Sequence, residues 1–339
     1  MATTEGLDTL LCLLGASEAH RAAVFGKPED VTEIFRVGGE LDGKNSVGMT
    51  PLELAIVVGN ESVGARLCSL GALRPEQVDR AAAWSVLLGR LDVLKAMVAN
   101  RPGVISSRWD GRSLLGLAVD SRFGWPDSLR DDPRRRVAAH SPWDDRVSPE
   151  RYQACVDTLL AMGIDADAVG RHGRTPLHDL VYAGVGGRTE LAREATLRAQ
   201  IAKRLLDAGA DPNARSFLGE TPLHGVVLRG PEIAGSMIEL LVPRGAEIDA
   251  PDAFGKTPLQ HLFSFYEDSV RARIDWNTVG SMHLPSDARA RVLERRPSKE
   301  TIEVGAILAA HGARLDIPET YRDAVESRMK RLRASNQKP

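Results

Sequence analysis

The tripeptide Thr-Pro-Leu occurs four times in this chain, at residues 50–52, 175–177, 221–223 and 257–259. Each copy stands where a turn hands over to a helix. Thr50, Thr175, Thr221 and Thr257 can cap the helix, and proline at the first helical position gives up no intrahelical hydrogen bond. A motif that returns at quasi-fixed spacing marks a stack of like units, and this constrains the fold more than any other feature. From Thr to Thr the copies lie 125, 46 and 36 residues apart. Weaker copies fill the long gap and the start: Ser-Leu-Leu-Gly-Leu-Ala at 113–118, Arg-Ala-Ala-Ala-Trp at 80–84 and Ser-Glu-Ala-His-Arg-Ala at 17–22. The markers at 17, 50, 80 and 113 are then spaced by 33, 30 and 33 residues, so the basic unit is close to 33.

With that unit length and a Thr-Pro-Leu-His-x-Ala pattern, the chain resembles the ankyrin repeat family. The copies nearest the pattern are GRTPLHDLVYAG (173–184) followed by IAKRLLDAGADPNAR, and GETPLHGVVLRG (219–230) followed by IELLVPRGAEIDAPD. The resemblance covers roughly residues 16–317 as seven repeats and implies an all-α helix-turn-helix solenoid with short hairpin tips and helical caps. The residues themselves point the same way. Leu and Ala after each Thr-Pro give one apolar face, and Gly59, Gly89 and Gly230 end the first helix of their repeats in a left-handed-permissive residue. A second apolar helix follows, as in Ser62–Leu70 or Ile201–Ala208. It stops at Gly71-Ala72, Gly163-Ile164, Gly209-Ala210, Gly245-Ala246 or Gly312-Ala313. Neither helix of a pair can bury its face alone, so each repeat needs neighbours.

Three repeats are stretched between their two helices, near 122–150, 186–198 and 266–300. Insertions gathered at one edge either mark a binding face or are tolerated loop drift. Leu7, Leu10, Leu11 and Leu14 form an apolar stripe suited to a capping helix over 1–15. Residues 319–333 read as a polar helix with Tyr321, Val325 and Met329 on one side, making 318–339 a C-terminal cap and tail.

Composition bounds the function. The chain has 339 residues, is 43% hydrophobic and carries a formal charge of −2, which fits a folded soluble protein and not a general nucleic-acid binder. Cys12, Cys68 and Cys155 lie in apolar helical settings, as reduced core thiols of a cytoplasmic protein do. The first residues lack a basic n-region, and no apolar run is long enough to span a bilayer.

No catalytic or cofactor motif stands out. His178 and His224 fill the His slot of the pattern, where the resemblance implies bonding to neighbouring turns. His140, His172, His261 and His283 are scattered, with no Cys or carboxylate at metal-ligand spacing. Gly184, Gly186 and Gly187 follow no strand, so a phosphate loop lacks its context. The reading is a non-enzymatic, cofactor-free and metal-free chain, monomeric alone, that binds a folded protein partner. The alternatives are an enzyme or small-molecule pocket built by the insertions, with Asp268, Asp275 or His283 as candidates, and an effector delivered to a host cell.

Partner contacts in the family fall on the hairpin tips and the variable positions of the first helices. By register these include Phe25, Val58, Trp84, Leu88, Tyr182, Arg229 and Phe265 on the helices, and Arg171, Phe217 and Phe254 on the tips. The first insertion adds Trp125 and Trp143 around Arg134-Arg135-Arg136. Trp and Arg are enriched at binding hot spots, although both tryptophans could equally pack the loop onto its own repeat. The apolar set Val57, Val58, Trp84, Leu87 and Leu88 reads as an exposed patch in the N-terminal half. On that reading, Trp84→Ala with Leu88→Asp weakens capture and leaves unfolding intact.

Overall fold

In the computed structural model, residues 15–46, 48–121, 149–182, 191–264 and 298–336 are described. They fall into two compact units, one up to Arg171 and one from His172 onward. Trp125 and Trp143 lie outside the described residues, as do Phe265, most of the three insertions and the leucine stripe.

The first unit is built of helix pairs: α1 (Glu18–Phe25) with α2 (Pro28–Arg36), α3 (Pro51–Val58) with α4 (Glu61–Ser69), and α5 (Val78–Leu87) with α6 (Leu91–Asn100). A two-stranded hairpin, β1 (Arg108–Trp109) and β2 (Arg112–Ser113), leads into α7 (Leu114–Ser121), which packs on α8 (Pro149–Ala161). First helices stack on first helices, α1 on α3, α3 on α5 and α5 on α7; second helices stack likewise, α2 on α4 and α4 on α6. The second unit repeats the plan with α9 (Pro176–Tyr182) and α10 (Leu191–Asp207), then α11 (Pro222–Val226) and α12 (Pro231–Leu241). Helical residues 258–264 (α13), α14 (Lys299–Ala310) and α15 (Glu319–Asn336) complete it.

Local chemistry sets these boundaries. Thr50 accepts the Glu53 N–H at 3.3 Å, and Glu53 returns a carboxylate to the Thr50 N–H at 3.0 Å, a reciprocal cap at the start of α3. Gly59 closes α3 at φ 86°, and Gly38, Gly71, Gly163, Gly209, Gly245 and Gly312, which close second helices, have φ between 80° and 105°. Gly230 departs from expectation. It is extended (φ −60°) and caps the start of α12, because α11 stops at Val226 and the turn is already complete.

The core is the layer between the stacked helices. Leu52, Ile56, Leu94, Leu117, Leu177, Leu223 and Ile238 are all essentially without solvent contact. Cys68 and Cys155 are free and buried there, which pushes both thiols up to about 12. At the C-terminal end α15 packs along α14, with Val325 buried, Tyr321 stacked on Phe263 at 5.1 Å between centroids, and Arg328 paired with Glu303.

Candidate functional site

The fourth position of each repeat pattern builds a strut to the next turn. In the second unit Thr175 N–H donates to His178 Nδ1 (3.3 Å), and His178 Nε2 meets the Glu220 carbonyl (2.9 Å). Thr221 N–H donates to His224 Nδ1 (3.0 Å), and His224 Nε2 meets the Lys256 carbonyl (3.0 Å). A backbone N–H only donates and a carbonyl only accepts, so both rings are the neutral Nε2–H tautomer. Burial holds both imidazoles below their usual pKa. Gln260 does the same work without a titratable ring: its Oε1 accepts the Thr257 N–H (2.9 Å) and its Nε2 donates to the Asp316 carbonyl (3.0 Å).

These struts fix a row of hairpin tips. The Phe217 N–H donates to the His172 carbonyl and the Ala253 N–H to the Leu218 carbonyl, both at 2.9 Å. The tips also brace themselves. Asp252 Oδ1 accepts the N–H groups of Phe254 (2.8 Å) and Lys256 (2.9 Å), and Ser216 Oγ accepts that of Leu218 (3.3 Å). Gly173 is required where it stands: φ is 72°, and a Cβ there would lie 2.4 Å from the Phe217 ring. The outcome is a rigid row presenting Phe217 (79% exposed), Leu218 (50%) and Phe254 (74%) to solvent.

Behind the tips is a polar group on the first helices. His261 lies 3.6 Å from Asp252 and 4.0 Å from Glu220, edge-on to His224 at 5.7 Å. Arg174 covers the Tyr182 ring at 3.8 Å, and burial beside the Glu220 carboxylate pushes the Tyr182 phenol well above its usual value. A phenol held neutral is a poor nucleophile.

The remaining sequence candidates divide by burial. Phe25 and Arg171 are exposed, and Tyr182 and Arg229 are half-buried. Arg171 is shared with Asp110 of the β1–β2 hairpin (3.4 Å), and Arg229 Nε is spent on the Val181 carbonyl at the end of α9 (2.5 Å). Val58, Trp84 and Leu88 are corrected: they are buried, with Trp84 only 3% exposed, and so are Val57 and Leu87. Each of these short helices is covered by both neighbouring first helices and by its own partner helix, so an all-apolar sequence here is core and not a docking patch. Sequence reasoning missed His20, whose Nδ1 accepts the Ser17 N–H (3.1 Å) while Nε2 meets the Met49 carbonyl (2.9 Å). Its signal was present, since Ser17 precedes it at the spacing of Thr175 and His178. It also missed Arg90, whose Nε donates to the Ile56 carbonyl (3.0 Å) across the end of α3.

A family model of the ankyrin repeat matches residues 172–217, the stretch from the first tip of this row to the second. The chain is similar to the E3 ubiquitin-protein ligase KEG of Arabidopsis thaliana, 26% identical over 277 residues, covering 78% of this chain and 14% of that protein. It is 39% identical over 95 residues to protein fem-1 homolog A of Bos taurus, covering 27% of this chain and 14% of that one. Among solved structures it matches the ankyrin repeat domain of Bcl-3 with a TM-score of 0.53 and 25% identity, covering 73% of this chain and 94% of that one. Residues 172–217 thus carry an ankyrin repeat, and the stacked helix pairs match the fold of an ankyrin repeat domain. It spans about a seventh of the length of the two relatives named here, so their whole-protein activities are not carried over. Ankyrin repeats are in general protein-interaction modules and typically non-catalytic. Among the described residues no cluster of His, Cys, Asp and Glu could hold a metal ion, and no helix is long and apolar enough to cross a membrane.

Proposed function

We propose that this chain is a non-catalytic module that captures a folded protein partner through the tip row of its C-terminal unit. One observation carries the reading: Phe217, Leu218 and Phe254 stand exposed on consecutive tips whose backbones are held by hydrogen bonds. An aromatic side chain held out on a rigid backbone loses little freedom on docking and supplies large apolar area, the pattern of an interface anchor. Neighbouring repeats extend the surface toward the standard interface of about 1,600 Å².

The test is affinity capture from the source lysate with the intact chain and with Phe217→Asp/Phe254→Asp. The expected result is a stoichiometric companion retained by the parent and lost by the variant, both melting alike. A companion held equally by the variant would place binding elsewhere and sink the tip reading.

A further inference from the structure

The charges around the tip row are distributed unevenly. Its two carboxylates, Glu220 and Asp252, are buried and turned to His261 and to tip amides. Its cations are less buried than its acids, and Arg215 is the most open of them. Arg215 is exposed, and its Nη1 donates to the backbone carbonyls of Gly219 (3.1 Å) and Pro251 (2.6 Å). Lys256 is half-buried, and Arg174 lies over Tyr182. None of the three is paired with a carboxylate among the described residues. Solvent therefore meets exposed phenylalanine and leucine among cations whose countercharges lie inside the fold.

From this arrangement we infer that the partner's contact surface is acidic: aspartate or glutamate side chains surrounding an apolar anchor that seats against Phe217, Leu218 and Phe254. The inference rests on the tip-row reading and names the chemistry of its partner. Carbonyl-bound guanidinium groups keep their full charge, so an incoming carboxylate gains attraction without displacing a resident acid. Glu220 and Asp252 are both largely buried, so an incoming carboxylate meets the outer guanidinium and ammonium groups before it meets these acids. The chain as a whole carries a formal charge of −2, so the attraction is local to this row and not a property of the whole surface.

The experiment pans the full chain against a phage-displayed library of a small three-helix domain randomised on one face. Parallel selections use Phe217→Asp/Phe254→Asp and Arg215→Glu/Lys256→Glu, each first shown to melt with the parent. The expected clones are rich in Asp and Glu next to Leu or aromatic residues. They lose binding to the phenylalanine variant, weaken roughly tenfold on the charge-reversed variant and weaken again with added salt. Clones lost on the phenylalanine variant but without acidic enrichment would overturn the acidic partner and leave the tip row standing. Clones indifferent to the phenylalanine substitutions, or no clones at all, would overturn both. Co-sedimentation with anionic phosphatidylserine vesicles that depends on Phe217 and Phe254 would identify a lipid surface instead and likewise overturn the acidic protein partner.

Discussion

The two units bury the same kind of apolar face but tie successive repeats together with different chemistry. In the C-terminal unit His178, His224 and Gln260 each reach from one turn to the carbonyl of the next, so the turns are fixed by directed hydrogen bonds. Among the equivalent positions of the N-terminal unit, only His20 does this. Glu53 reaches Arg80 instead, and the equivalent positions Ala83 and Gly116 have no side chain that could. There the joint falls to burial around Trp84, Leu94 and Met97, to Arg90 on the Ile56 carbonyl and to Asn60 on the Gly26 carbonyl. The difference teaches that the strut does more than hold repeats together: it sets the position of the tips. Where struts succeed one another, large apolar side chains stand on consecutive tips. Where they lapse, the repeats are joined through core packing.

Breaking the N-terminal unit should take the largest toll. Trp84→Ala with Leu88→Asp, harmless if those residues lined an exposed patch, should instead unfold the chain several degrees lower, since removing the indole alone costs about 3–5 kcal/mol. A circular dichroism melt coinciding with the parent would refute the burial. Next, Leu223→Ala in the C-terminal unit should cost about 2–5 kcal/mol in urea unfolding, as truncation of a fully buried leucine does. His178→Ala should cost less, about 1–3 kcal/mol, by leaving the Thr175 N–H and the Glu220 carbonyl without partners.

A finer test separates the strut from its titration. Both rings are held below the ordinary value of 6.5, so between that value and the folded one the unfolded chain binds more protons. Their contribution is complete above about pH 6.5 and is lost as pH falls through the lower folded value. Gln260 shows that glutamine makes the same two bonds. His178→Gln/His224→Gln should therefore stay close to parental stability at pH 7 while flattening the fall of the urea midpoint between pH 7 and pH 5. An undiminished fall in that variant would assign the acid sensitivity to other groups. The smallest effect on stability belongs to Phe217→Asp/Phe254→Asp, within about 0.5 kcal/mol, because neither ring is buried.

Most of the architecture was legible because it is local. Thr-Pro starts, Gly stops and the 33-residue spacing are each set by a few adjacent residues. The tip candidates Phe217 and Phe254 were legible for the same reason. Exposure of the first helices was not, since Val57-Val58 and Trp84 read alike whether a short helix is covered on one side or on three. Reach across repeats was equally hidden. Arg198 of α10 is a charged residue, yet it is fully buried and donates to the Leu180 carbonyl. Arg229, read as a contact residue, serves the Val181 carbonyl. Such pairings are fixed by the stacking of one repeat on another, and the sequence of a single repeat does not hold them.

The joints of the tip row are single peptide groups, Phe217 N–H on His172 C=O and Ala253 N–H on Leu218 C=O. A peptide joint does not depend on which side chain its residue carries. The letters on the tips can therefore be rewritten one at a time while the frame keeps its spacing, provided the positive-φ glycines at 173, 219 and 255 stay in place. A lineage could exchange one partner for another by point substitution at a few solvent-facing positions, with no cost to the helices beneath.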